Sequence, residues 1–563
     1  MRRAAKTLLL CLLLTLLLGV RAQAMENNMI KVGIKYGNNA LFSANLENNT
    51  GRGEGYTLGY FNDKREFVSL GASTGETAIS VTVDGNVYIA DGVAYKNAPE
   101  SYTTAVGGWH LELERRFDTY TEAAEAASRY PGGFVCYLNG TYAVRVGQYI
   151  TKSEAEEALT AWTGLDTAKV AAPGSTGVVV TVTKTNRILF FFDCGGEQHL
   201  GIQPQSISGE KTVTWFKGYR YNGAFEYQRV RGGNISVINV VGLEDYVKGV
   251  IGWELGNDKP LEALKAQAVC ARTYAAYQTK HRSQGFDICT TTDCQVYQGV
   301  AASNDVTDAA VDETAGEYLF YNGKPVLDAV YYSCNGGASE DAKNVWGSDI
   351  GYLKGKLDPY EADIAPKLKN YYWNKTFTAG ELGSKLSNRG YNIGTVTKVY
   401  VSEFTPTGNV LSLTFEGSSG SKTVQRETCR TLLGLGSMRF DVKGNGDSTA
   451  PTQPGGTYYY INGESGAVTS LDGLYTLSGS GETAPYSGDL PYIITSGGVS
   501  QLTGSKPASS GSATTSDRFV FSGSGSGHNV GLSQWGSVAM ARRGLDYREI
   551  LQFYYTDVTV EKP

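Results

Sequence analysis

The sequence predicts an α+β protein assembled from several segments, and three observations carry that prediction. Residues 28–96 alternate apolar and polar positions between frequent Gly and Asn breaks, the period-two pattern of half-buried strands. Residues 108–172 read strand, helix, strand, strand, helix. Beyond residue 177, strand-like runs such as the one ending near Val240 are mixed with long helical patterns such as the one starting at Pro260.

The first segment contains Ile30-Lys31-Val32-Gly33-Ile34 and Ile79-Ser80-Val81-Thr82-Val83, both with strand alternation. The second is an internal repeat. Phe117 followed by Glu122-Ala123-Ala124-Glu125-Ala126 is matched by Tyr149 followed by Glu154-Ala155-Glu156-Glu157-Ala158. Each half ends a strand on an aromatic, then starts an Ala/Glu helix at a Thr or Ser cap. Between the halves, Phe134–Leu138 and Tyr142–Tyr149 flank Asn139-Gly140, a two-residue hairpin signal. With a last strand at Val170 or Val178 this is a ferredoxin-like βαββαβ module. A continuous α+β body follows over 177–445. The composition shifts to Gly, Ser, Thr and Pro over 446–516, read as an insertion with short strands at Tyr458–Ile461 and Tyr492–Thr495. Regular structure resumes over 518–563 and is expected to complete the preceding body.

A chain of 563 residues exceeds one compact core, so two to four modules are expected. Hydrophobic residues make up 41%, enough to exclude global disorder. The net charge of −6, with no Lys/Arg cluster after residue 6, excludes a nucleic-acid partner. The 70 glycines and 37 tyrosines suit a turn-rich, carbohydrate-facing surface without deciding for one.

Residues 1–24 read as an export signal. Arg2, Arg3 and Lys6 precede an apolar stretch from Leu8 to Val20, and Ala22-Gln23-Ala24 gives a small-x-small cleavage pattern. The stretch is short of the ~20 residues that span a bilayer, which favours cleavage over a retained anchor. The remainder is placed outside the cytoplasm. Of eight cysteines, only Cys289 and Cys294 lie close enough in sequence to suggest shared chemistry.

The candidate catalytic residue is Glu254. Val240–Ile251 reads as a strand end and a short helix, Gly252–Asp258 as a loop, and Pro260 to about Lys280 as a long helix with Pro at its first turn. Along that helix Ala263, Leu264, Gln267, Ala268, Ala271 and Ala275 form one stripe. A carboxyl beside the Trp253 indole is partly desolvated, which suits a general acid. The competing reading is a glutamate favoured at a helix start by the macrodipole alone.

Several motifs resemble the SpoIID/LytB (stage II sporulation protein D) family. They are Leu243-Glu244-Asp245-Tyr246-Val247-Lys248-Gly249-Val250, then Glu254, then Leu261-Glu262-Ala263-Leu264-Lys265-Ala266-Gln267-Ala268-Val269 with Ala271-Arg272-Thr273-Tyr274-Ala275. Further along stand Asp293-Cys294-Gln295-Val296-Tyr297, Glu313-Thr314-Ala315-Gly316, Tyr332-Ser333-Cys334-Asn335-Gly336-Gly337 and Asn344-Val345-Trp346. The tail Gly527-His528-Asn529-Val530-Gly531-Leu532-Ser533-Gln534-Trp535-Gly536 resembles the family's closing motif. The 108–172 module resembles the SPOR domain, whose members bind glycan strands stripped of stem peptides, through Trp109–Phe117, its Glu-Ala helices and Tyr142–Tyr149.

The resemblance implies a peptidoglycan lytic transglycosylase whose 177–445 body uses Glu254 as its single acid/base, acting on denuded strands. It also implies that Lys265, Gln267, Arg272, Gln295, Tyr297, Ser333, His528 and Gln534 line the sugar cleft. For each of these, a structural role is the equal alternative. A non-catalytic amidase enhancer or a glycan-binding wall protein is the other functional reading, with a wall amidase as partner. The chain departs from the family at two places. Trp253 and Leu255 flank the glutamate where a methionine and a serine are common. Some relatives hold zinc with two cysteines and a histidine just before the second, and here Asp293 takes the histidine position. Cys289 and Cys294 therefore read either as ligands of a structural zinc or as a disulfide. The chemistry itself requires no cofactor.

Overall fold

The computed structural model describes residues 28–48, 53–207, 210–230, 232–444 and 518–563, together with the backbone of short strands between 459 and 515. The expected signal segment 1–24 and most of the 446–516 insertion lie outside the described residues. Two compact units form. One comprises the described residues up to Asp258 with Ala271–Glu317, and the other Lys259–Cys270 with Tyr318–Lys562.

The first unit is built on two sheets. The seven-stranded sheet runs Ile288–Cys289, Met29–Lys35, Ile235–Gly242, Ala224–Arg229, Leu200–Ser206, Gly53–Phe61 and Phe67–Thr74. Strand Ile235–Gly242 lies inside it, and Ile238, Val240 and Val241 are completely buried. This strand leads directly into the helix that bears Glu254.

The ten-stranded sheet begins with Ala168–Ala171, Trp109–Leu113, Thr141–Tyr149 and Gly133–Leu138. In chain order these are the fourth, first, third and second strands of the module, the arrangement of a split βαβ unit. Thr119 caps helix Tyr120–Ala127, and Thr151 with Glu154 makes a capping box on helix Lys152–Thr160. At the hairpin, Asn139 and Gly140 both take positive φ, 46° and 90°, as a two-residue turn requires. The sheet does not stop at the module boundary. Gly133–Leu138 pairs in parallel with Ile188–Asp193, and the sheet continues through Val178–Val182, Ala78–Val83 and Ser43–Glu47. Val178 thus belongs to the continuation, and Val170 to the module's last strand. An open strand edge inside an apolar sheet invites pairing, and a pattern of single strands does not reveal it.

The second unit has smaller sheets. Arg518–Ser524 lies between Tyr372–Thr378 and Phe440–Gly444, so the tail pairs on both sides with segments more than 70 residues earlier in sequence. Val558–Glu561 pairs with Tyr318–Tyr321. Phe377, Phe440, Phe519 and Phe521 join Leu382, Leu386 and Val399 in its core. In the insertion, Tyr492–Thr495 pairs antiparallel with Gly498–Gln501. No helix among the described residues is long and apolar enough to cross a membrane.

Candidate active site

Glu254 lies at the end of a helix, not in a loop before one. Helix Leu243–Glu254 runs through Gly249 and Gly252, although each glycine costs about 1 kcal/mol in a helix interior. Close packing explains them. A Cβ on Gly249 would lie 2.5 Å from the Tyr297 ring, and one on Gly252 would lie 2.3 Å from the Ala302 carbonyl oxygen. The helix ends at Glu254, and two residues on stands Gly256, whose φ of +98° only glycine adopts easily. The sequence pattern read Gly252–Asp258 as a loop, whereas Gly252 is a close-packed contact inside the helix.

The Glu254 side chain is half-buried, and its Oε1 accepts a 2.6 Å hydrogen bond from the Val296 amide. Two electrostatic influences meet there. The negative end of the helix dipole opposes an ionised carboxyl, and the amide favours one. Trp253 is 40% exposed. The segment supplying the amide is pinned from several directions. The Tyr246 hydroxyl donates to Gln295 Oε1 at 3.0 Å, and Gln295 Nε2 donates to the Ala271 carbonyl at 3.3 Å. Tyr297 packs against Tyr246 with ring centroids 4.8 Å apart and planes tilted by 41°, and its hydroxyl donates to Asn239 Oδ1 at 2.8 Å.

Just upstream of that segment, His281, Cys289, Asp293 and Cys294 converge, with one ligand atom from each within 4.8 Å of all the others. The sulfurs are not bonded to each other. A hydrogen bond from Cys294 draws the Cys289 thiol down to about 4, and the same pairing pushes the Cys294 thiol up. Lys280 donates to Asp293 Oδ1 at 2.6 Å and holds that carboxyl below its usual range. His281 stacks on Phe286 at 5.0 Å and is buried, yet its Nε2 has no hydrogen-bond partner, with Asp293 Oδ2 at 3.5 Å. Two sulfurs, one imidazole nitrogen and one carboxylate oxygen are the donor types of a four-coordinate zinc site, and the orphaned Nε2 points to a missing partner. His281 is eight residues before Cys289, outside the spacing that marks the motif, so no local pattern points to it. Its position comes from the turn after helix Leu261–Tyr277.

The remaining expected cleft residues have varied positions. Arg272 is completely buried; its guanidinium grips Glu244 at 2.7 and 2.8 Å and caps the carbonyls of Val311 and Glu317. Gln295 and Tyr297 are also buried in the first unit. The polar atoms of these three bond protein groups. Gln267 is completely buried as well, with neither amide atom hydrogen-bonded. In the second unit Lys265 pairs with Glu262 at 2.9 Å. Ser333 is half-buried, and its carbonyl accepts from the Trp535 amide at 2.9 Å. Gln534 opens helix Gln534–Arg542 and is buried. His528 is held between Tyr332 and Trp346, with centroids at 5.3 and 5.1 Å, and burial pushes its imidazole down to about 4. Its Nδ1 accepts from the Val530 amide at 3.1 Å.

Comparison with known proteins agrees with these motifs. Residues 231–321, which hold the helix, the amide segment and the cysteine cluster, match the family described as SpoIID, stage II sporulation protein. Stage II sporulation protein D of Bacillus subtilis is 34% identical over 242 residues, 40% of this chain and 67% of that protein. An uncharacterized protein of Brachyspira hyodysenteriae is 30% identical over 375 residues, 65% of this chain and 80% of its own. The amidase enhancer of Bacillus subtilis is 29% identical over 320 residues, which is 56% of this chain and 40% of that protein. Fold and site define an α+β protein whose helix Leu243–Glu254 ends in a carboxyl held by the Val296 amide, with a Cys/His/Asp cluster just upstream of that amide in sequence. The chain belongs to the SpoIID family.

Proposed function

We propose that the protein is an exported cell-wall enzyme, a lytic transglycosylase that cleaves the bond between N-acetylmuramic acid and N-acetylglucosamine in peptidoglycan. The observation that carries the reading is the Glu254 carboxyl, half-buried at a helix end with one oxygen fixed by the Val296 amide. Glu254 protonates the departing glycosidic oxygen as the C1–O bond breaks. The muramic 6-hydroxyl then bonds to C1 and returns its proton to Glu254, which leaves a 1,6-anhydro end. Water is not the nucleophile, so a second carboxylate is unnecessary. The cleft includes the exposed Trp253 as a stacking face.

His281, Cys289, Asp293 and Cys294 would hold a structural zinc, which supplies no step of the reaction but ties down the loop ahead of Val296. The 108–172 module tethers the enzyme to glycan strands stripped by a wall amidase, raising local substrate concentration. The relative named amidase enhancer supports a second reading, a non-catalytic activator. Digestion of purified glycan strands followed by mass spectrometry separates the two. Anhydro-muramic ends from the wild type, absent with Glu254→Gln, support the enzyme. No such ends from the wild type on stripped or intact strands would hand the protein to the activator reading.

A further inference from the structure

The amide that holds Glu254 comes from a segment with little regular structure to fix it. Residues 295–297 lie outside every described helix and strand, and the Tyr297 amide reaches the Thr290 carbonyl at a long 3.4 Å. A backbone N–H is a preorganised donor only where the peptide group carrying it is held still. Here the holding falls to side chains. Burial alternates along the segment: Gln295 and Tyr297 are enclosed, and Val296 between them is half-buried. Two inward anchors thus flank the amide that meets the Glu254 carboxyl.

Gln295 is the anchor closest to that amide, because the Val296 N–H belongs to the planar peptide group that joins the two residues. Its Oε1 accepts from the Tyr246 hydroxyl at 3.0 Å, and its Nε2 donates to the Ala271 carbonyl at 3.3 Å. Tyr246 lies about two turns before Glu254 on helix Leu243–Glu254, and Ala271 belongs to helix Leu261–Tyr277. One side chain therefore ties the amide segment to the acid's own helix and to a second helix, and all of these residues belong to the first unit. Tyr297 adds a bond to Asn239, but its ring also packs on Tyr246 and Tyr221, so removing it would alter volume as well as position. Gln295 has no exposed surface to offer a sugar. What it does for the reaction, it does through Val296.

We infer that Gln295 is a positioning residue for the Glu254 acid/base, aiming the Val296 amide at the carboxyl. The inference rests on the transglycosylase reading and deepens it. An amide donor favours the ionised carboxyl, so loosening it raises the proton affinity of Glu254. The limb along which kcat falls with rising pH then moves upward. The test digests purified glycan strands with the full chain, Gln295→Met and Tyr246→Phe from pH 4 to 9, counting anhydro-muramic ends by mass spectrometry. Methionine keeps the length of glutamine and removes both polar contacts, whereas phenylalanine removes one hydroxyl. Gln295→Met should lower kcat about 10- to 100-fold with KM unchanged. It should also move the limb up by about one pH unit, as expected for losing one hydrogen bond to a charged group. Tyr246→Phe should shift the same limb by less, and it decides alone if Gln295→Met does not fold. A kcat lowered equally at every pH, with the limb in place, would overturn the inference and leave the enzyme reading standing. No ends from the parent, or ends that persist in Glu254→Gln, would instead remove the transglycosylase reading itself.

Discussion

Glu254 and Glu361 are two carboxyls set in opposite ways. Glu361, in the second unit, is completely buried and accepts from the amides of Asn335 and Gly336, both at 2.8 Å, and from the Ser533 hydroxyl at 2.6 Å. Burial and the nearby Asp358 push it up to about 7. Asp358 is equally enclosed, bonded by Tyr554 at 2.6 Å and the Asn335 amide at 2.5 Å. By perturbation alone Glu361 resembles a general acid. However, its protons lead nowhere: the network ties the Asn335-Gly336 turn to the start of helix Gln534–Arg542. Glu254 accepts from the Val296 amide and is half-buried rather than enclosed. A shifted proton affinity marks burial, and only access turns it into chemistry.

The comparison can be broken most directly by exchanging each carboxyl for its amide. Glu254→Gln should lower anhydro-end formation by about 10²–10⁴-fold, the usual contribution of a general acid/base, with an unchanged melting temperature. If Glu361→Gln gave that loss with full stability while Glu254→Gln did not, the roles assigned here would be reversed.

Arg272 tests whether the helix is fixed from behind. Arg272→Ala should cost about 3 kcal/mol of stability in urea unfolding, since it strands Glu244 and uncaps the Val311 and Glu317 carbonyls. Arg272→Lys should recover little of it, lacking the planar fork. A loss below about 1 kcal/mol would mean that the pair matters no more than an exposed one.

Metal removal sharpens the account of the cluster. A chelator should lower the melting temperature of the wild type by several degrees, and Cys294→Ser should abolish that response. A melting temperature lowered by reductant and untouched by chelator would identify a disulfide instead.

A further test concerns pH. The folded-state value of Glu361 is raised, so its contribution to stability is complete below the unfolded value near 4.5 and is lost as pH rises through about 7. Melting temperatures measured from pH 4 to 8 should therefore carry a downward component between about 4.5 and 7 that flattens above. Glu361→Gln should remove this component; an identical profile in the variant would refute it.

Local signals in the sequence were dependable where local physics decides. The Thr119 and Thr151 caps and the Asn139-Gly140 turn need only neighbours within a few residues, and all three formed. Non-local facts were hidden. Gly252 reads as the start of a loop until Ala302 is seen against it, and His281 has no motif spacing to Cys289. Even Arg272, Gln295 and Tyr297, singled out as groove residues or props, could be sorted only by burial.

By itself, then, the sequence determined the α+β class, the module's element order, the family motifs and Glu254 as the carboxyl of interest. Tertiary structure decided that Glu254 ends a helix, that the module's sheet runs on into its surroundings, and that a histidine joins two cysteines and an aspartate. The physical reason is range. Caps, turns and periodicity act over a few bonds, whereas strand edges, close-packed glycines and ligand clusters exist only once distant segments are brought together at the entropic cost of closing the loops between them.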